Sequence, residues 1–403
     1  MRHERIAGSA RNLSKRAALV FALALVVAPV PSVAGPSTPP YEINTILPLT
    51  GGAAFLGQPQ ALALQVLERV VNARGGIQGR PIHFAIQDDQ TSPQVGVQLA
   101  NQVIAKGAPL IVGSSLVAIC RAMAPLMKDG PVMYCLSPGI HPDEGSYVFT
   151  ASVSTRDLTQ ATIRFFRGRG WTHIALLVST DATGQDAEEG ILAAVAQPQN
   201  QDVQIVAREH FNPQDVSVAA QIARIAAAQP QALIAWSTGA PIGTVFKAIA
   251  QSELGIPVAT TNGNQTYAQM QQYASFLPPE LYFPTSMWPA YQALPPGRVK
   301  QAQKAFFDAL HAANTKPDLG ASIAWDPAQI VVDALRHLGT EATATQIRDY
   351  IAHLRGIAGI SGIYDFKTTP QRGLGLQDAI VTRWNSGTQT WDPVSGPGGE
   401  PMR

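Results

Sequence analysis

Charge is scarce in this 403-residue sequence. Charged residues make up 14% of it, against 46% apolar, which sets aside disordered and coiled-coil chains. Cysteine is scarcer, with only Cys120 and Cys135. Two cysteines without a nearby histidine pair cannot fill a tetrahedral metal shell. Catalytic signatures are missing too: no Gly-x-Ser-x-Gly, no P-loop, no His-Glu-x-x-His, and no Gly-x-Gly-x-x-Gly after the first strand. The eight histidines are scattered; His83 and His173, at strands, read as structural. Asp88 and Asp89 end a strand and read as loop-bonding and capping groups.

One long apolar run is present, and it lies at the N-terminus. Arg2, Arg5, Arg11, Lys15 and Arg16 precede the 14 apolar residues of Ala17 to Val30, and Ser32-Val33-Ala34 supplies small residues for cleavage before Gly35. This is the pattern of a cleavable secretory signal peptide, residues 1–34. No later stretch is long and apolar enough to span a bilayer. Residues 1–34 hold five Lys/Arg and one Asp/Glu, so the remainder carries 24 basic and 27 acidic residues, net −3. No basic surplus attracts nucleic acid or anionic lipid. In an oxidising compartment Cys120 and Cys135, 15 residues apart, form either one disulfide or two buried thiols.

What is abundant is strand–helix alternation. Ile43 to Leu47 reads as a buried strand, followed by the small-residue turn Thr50-Gly51-Gly52-Ala53-Ala54 and a helix from about Gln58 to Ala73. A strand opening into such a turn before a helix presents free N–H groups to a polar ligand group, or is an ordinary turn. The units then repeat in two similar blocks, giving mostly parallel sheets covered on both faces. A helix is expected over Val216 to Ala228, and the Pro/Gly-rich end, DPVSGPGGEPMR, reads as mobile.

Most strand ends carry small hydroxyl, amide or glycine residues: Thr50, Ser114 and Ser115, Ser137, Thr180 and Thr183, Ser237 and Thr238, Asn262 and Asn264. Ligands bind outside the carboxyl ends of strands in open α/β sheets. Two such sheets face to face line one cleft with neutral hydrogen-bonding groups. Phe55, Tyr134, Trp236, Tyr267 and Trp288 supply aromatic surface nearby.

The stretch PLTGGAAFLGQPQ, the run Asn72 to Gly79 (NARGGIQG), the strand ending Asp88-Asp89 and the following Ser92-Pro93 share one spacing. Together with Ile111 to Gly113, Leu136 to Gly139 and Tyr364 to Phe366, they resemble the periplasmic solute-binding proteins of ABC transporters, in the branched-chain amino-acid (leucine-binding-like) group. The resemblance runs from about Tyr41 to Pro393. It implies an α/β, type I periplasmic-binding-protein fold: two doubly wound lobes joined by three hinge crossovers, closing on a small ligand. Lobe 1 would be 41–153 and 286–368, and lobe 2 154–285 and 369–403. The implied partners are a small-molecule ligand and the subunits of an ABC permease. The protein would act as a periplasmic monomer, with no cofactor, no metal and no catalysis.

The resemblance places Ser115, Ser137 and Gly139 near the ligand carboxylate. Thr50, Phe55, Leu56, Ser114, Thr183, Thr238, Asn262, Asn264 and Trp288 complete the expected ligand-binding set. The group's ammonium-binding acid has no counterpart here, because that loop reads Asn262-Gly263-Asn264. A buried ammonium without a carboxylate is costly. The expected ligand is therefore a branched-chain amino acid-like molecule or, with no amine to pair, an aromatic carboxylate. A periplasmic sensor presenting its ligand to a signalling receptor is the alternative on the same fold.

Overall fold

The structure is a computed structural model that describes residues 39–402 apart from Glu253. The expected signal peptide lies outside the described residues. No described helix is long and apolar enough to cross a membrane.

The first block contains β1 (Tyr41–Leu47), α1 (Ala54–Ala73), β2 (Ile82–Asp88), α2 (Pro93–Ala105) and β3 (Leu110–Gly113). It continues through α3 (Val117–Met123), β4 (Val132–Cys135) and β5 (Val148–Thr150). The strands form a parallel sheet in the order β2-β1-β3-β4-β5. β1 lies inside the sheet, between β2 and β3, and is buried at six of its seven positions, as a strand covered on both faces must be.

α1 starts at Ala54, earlier than the expected start at about Gln58. Gly57 explains this. A Cβ there would sit 2.1 Å from the Pro48 carbonyl oxygen, so glycine lets the first turn lie against the end of β1. Cys120 and Cys135 are bridged, with an S–S distance of 2.05 Å, and tie α3 to β4.

The second block contains α4 (Thr155–Gly168), β6 (His173–Ser179), α5 (Ala182–Val195), β7 (Gln204–Phe211) and α6 (Ala219–Ala227). Next come β8 (Ala232–Trp236), α7 (Pro241–Gln251), β9 (Val258–Ala259), α8 (Tyr267–Gln272) and β10 (Leu281–Ser286). α6 is shorter than expected, and Val216 is 96% exposed outside it. No burial holds that residue in a helical turn.

The chain then returns to the first sheet. α9 (Arg298–Ala312), α10 (Leu319–Leu338) and α11 (Ala344–His353) precede the hairpin β11 (Arg355–Ala358) and β12 (Ile363–Asp365). α10 packs along α1. Its first ten residues, Leu319 to Ala328, are all buried, so it is a core helix rather than an amphipathic one.

Finally β13 (Ala379–Asn385) and β14 (Thr390–Pro393) join the second sheet, whose order is β14-β13-β10-β9-β8-β6-β7. β13 runs antiparallel to β10, and β14 antiparallel to β13. The expected mostly parallel sheet thus ends in an antiparallel hairpin, because β13 comes back to it from the first sheet's side, after α9, α10 and α11, and enters from the opposite direction. The Pro/Gly-rich end is packed in place, contrary to the sequence expectation. Gly398 and Gly399 are buried, a Cβ on Gly399 would meet the Ala161 carbonyl oxygen at 2.1 Å, and Glu400 lies 3.6 Å from Arg164. Composition suggested mobility, but glycine is what allows the segment to approach α4.

Candidate functional site

The carboxyl ends of the two sheets face each other, and the lobes around them are closed. The Ala240 N–H donates to the Gly52 carbonyl at 3.0 Å, and the Leu319 N–H to the Gln265 carbonyl at 3.0 Å. Each bond joins a residue of one lobe to a residue of the other. Between them lies a cavity of about 20 Å³, room for a single water-sized group.

Lobe 1 lines the cavity with Leu56 from α1, Ser115, and Ser137 after β4, and Leu319 and Ile323 from α10. The second block contributes Thr155 at the start of α4, Thr183 at the start of α5, Trp236 at the end of β8, then Thr238, Thr261 and Asn262. Among the described residues, no charged side chain lines it. Its chemistry is hydroxyl, amide, indole and aliphatic.

Of the twelve ligand-binding residues expected from sequence, the structure brings six together here: Leu56, Ser115, Ser137, Thr183, Thr238 and Asn262. The other six lie elsewhere, each for a physical reason. Thr50 is exposed, and its hydroxyl donates to Asp88 at 2.7 Å. Phe55 packs edge-on to Tyr273, ring centroids 6.3 Å apart. Ser114 is spent on the Asp89 carboxylate. Gly139 stands behind the lining, where a Cβ would meet Val117 Cγ2 at 2.5 Å. Asn264 accepts the Gly239 N–H at 2.9 Å and donates to the Ser237 carbonyl at 2.7 Å, so it builds the loop. Trp288 is buried, with its N–H directed to Thr285 Oγ1 at 3.2 Å.

Leu319, Ile323 and Thr155 were not among the residues singled out by sequence, and Trp236 was named there only as aromatic surface near the strand ends. The α10 pair comes from far along the chain and carries no local signal. Trp236 was detectable as the last residue of a fully apolar strand opening into Ser237-Thr238.

Two carboxylates flank the first loop. Burial alone would raise the Asp88 carboxyl, but hydrogen bonds from Thr50, Gln90 and Leu49 hold it below the ordinary carboxylate range. Burial pushes Asp89 up to about 6, against bonds from Ser114 and Thr91. Both do the loop-bonding work expected of them. Asp318 caps α10 by accepting the Ala321 N–H at 3.2 Å, and burial pushes its carboxyl up to about 7.

Several donors at the cavity have no partner in the protein. Asn262 Nδ2 and Trp236 Nε1 are buried and unpaired, as is Nε2 of Gln60, whose Oε1 accepts the Ser115 hydroxyl at 2.5 Å. A buried donor without an acceptor costs about 1–3 kcal/mol. A solute that brings acceptor oxygens to this place recovers that cost. Among the described residues no group of three or more metal-ligating side chains is gathered anywhere.

Known proteins share this architecture. A crystal structure of an extracellular ligand-binding receptor from Rhodopseudomonas palustris HaA2 covers 88% of this chain and 100% of its own, with TM-score 0.79 and 19% identity. A branched-chain amino acid transporter substrate binding protein from Streptococcus pneumoniae, in complex with isoleucine, covers 88% and 99% with TM-score 0.74 and 17% identity. A solute binding protein of an ABC transporter from R. palustris, in complex with benzoate, covers 90% and 97% with TM-score 0.71 and 17% identity. In sequence, the Leu/Ile/Val-binding protein of Escherichia coli K12 is 28% identical over 144 residues, 36% of this chain and 30% of that protein. The Leu/Ile/Val-binding protein homolog 3 of Brucella melitensis is 28% identical over 101 residues, 25% of this chain and 27% of that protein. The chain thus matches only about a quarter to a third of the length of these curated relatives. The model of the periplasmic binding protein family, by contrast, matches residues 40–389. With the two facing sheets and the neutral cleft between them, this match places the chain in the periplasmic binding protein family.

Proposed function

We propose that the protein is an extracytoplasmic solute-binding protein that captures a small organic carboxylate by hinge closure and delivers it to an ABC permease. It acts as a monomer and without catalysis, after export through a signal peptide cleaved near Ala34. The hinge crossovers fall near 153/154, 285/286 and 368/369, where the chain passes between the two sheets. The ligand is branched-chain amino acid-like or an aromatic carboxylate, and the aromatic acid is favoured. One observation carries this preference: the cavity has the unpaired donors of Asn262 and Trp236 and, among the described residues, no lining carboxylate. Donors suit a carboxylate, whereas an ammonium would stay unpaired at a cost.

The closed lobes leave about 20 Å³, so uptake requires them to part, and the bound form is held wider than this one. Thermal-shift measurements with L-leucine, L-isoleucine and benzoate test the reading. Stabilisation by benzoate is expected. Stabilisation by leucine and by no aromatic acid overturns the preference for an aromatic acid.

A further inference from the structure

We propose that Asp186 is a positioning residue for capture: it latches the second lobe onto the Ser137 loop, through His141 and Arg121, and so holds the cleft shut.

The geometry is specific. Asp186 lies on α5, one helical turn beyond Thr183, so both occupy one face. Its Oδ1 is 2.7 Å from His141 Nε2 and 3.6 Å from Arg121 Nη2. His141 follows β4 on the loop that begins with Ser137, and Arg121 is on α3; both belong to the first sheet's lobe. Arg121 also donates to the Gly139 carbonyl at 3.3 Å. The latch therefore joins the carrier of Thr183 directly to the loop that presents Ser137. Both residues line the cavity.

The Asp186 side chain is 1% exposed, although both partners are partly exposed. Burying a carboxylate is unfavourable unless it is paired. Opening the lobes would remove both partners while returning Asp186 to water. The charged and titratable groups facing it are Arg121 and His141, with Arg372 behind them; Asp157 and Arg156 act in turn on Arg372. Asp186 Oδ2 has no hydrogen-bond partner. A Cβ on Gly139 would sit 3.1 Å from that oxygen and collide with Val117. Glycine at 139 is what lets the carboxylate come down on the loop.

Hydrogen exchange on the ligand-free, full-length mature chain tests this. The Ala240 and Leu319 amides, bonded across the cleft, report closure; amides within β6 and β8 report the fold. In Asp186→Asn, and separately in His141→Gln, the two cross-cleft amides are expected to exchange about tenfold faster or more, the factor for losing a bond to a charged group. The β6 and β8 amides keep their rates. The double variant is expected to be no faster than Asp186→Asn, because both changes cut one contact. Unchanged cross-cleft rates in either single variant overturn the proposal. So do equal accelerations at the cross-cleft and β-strand amides, which mean general destabilisation. Unprotected cross-cleft amides in the wild-type protein overturn it as well.

Discussion

The Asp318 carboxylate accepts the backbone N–H of Tyr267 across the cleft, Oδ2 to N 3.4 Å. The same carboxylate caps the helix that supplies Leu319 and Ile323 to the cavity. Capping and lobe contact thus share one buried acid, whose carboxyl is pushed up to about 7 by burial.

That shift has a pH signature. Between about pH 4 and pH 7 the folded protein holds a proton on Asp318 that the unfolded chain has released. Stability therefore falls as pH rises through this window, and the contribution is constant above it. In Asp318→Asn the melting temperature is expected to fall less steeply from pH 4 to pH 7 than in wild type. Asp89 and Asp378, both raised to about 6, contribute equally to the two proteins and cancel. Parallel melting curves would show that Asp318 titrates normally.

Asn262→Ala removes an unpaired donor from the cavity wall. Benzoate binding, measured by calorimetry, is expected to weaken about tenfold or more, the value of a hydrogen bond to a charged group. The melting temperature without ligand should stay close to wild type, because Asn262 Nδ2 bonds nothing within the protein and its Oδ1 accepts only the neighbouring Thr261 hydroxyl, at 3.3 Å.

The candidate site was partly legible in the sequence because binding groups follow strands. Ser115, Ser137, Thr183, Thr238 and Asn262 all sit just past a strand end or at the helix start it feeds, as the sheet rule requires. Proximity to a strand end does not say whether a polar group is free. Asn264 and Ser114 pass the same test, yet they spend their hydrogen bonds on Ser237, Gly239 and Asp89. The α10 contribution was illegible for another reason: it depends on long-range packing of α10 against α1. The two-lobed α/β fold was legible from strand–helix alternation. The antiparallel hairpin and the packed C-terminal segment were not, since both depend on where the chain returns rather than on local pattern.

Arg372→Met tests how the segment after β12 is fastened to the loops around β4 and β5. The guanidinium is buried and donates to the carbonyls of Ala151, Ser152, Pro138 and Ile140, the last at 2.6 Å. Burial lowers its pKa to about 10, so it remains charged at neutral pH. Its loss leaves four carbonyls without this donor. Urea unfolding is expected to show a destabilisation of about 3 kcal/mol or more. A change under 1 kcal/mol would mean that water replaces the side chain.

The bridge between Cys120 and Cys135 closes a 15-residue loop. Replacing both by serine is expected to cost about 3 kcal/mol on the chain-entropy account. Thiol titration of the denatured, unreduced wild-type protein should find no free thiol. Two titratable thiols would refute the bridge.

The antiparallel β13 and β14 have a consequence for the order of assembly. The second sheet begins at His173 but is finished only by residues 379–393, after the chain has gone back to build α9, α10 and α11. A ribosome making the protein from its N-terminus completes the first five-stranded sheet early. The second sheet stays without the two strands on one side, β13 and β14, until synthesis is almost over. Folding of this half is therefore tied to chain completion, and a nascent chain stalled before Ala379 exposes β10 as an unpaired edge.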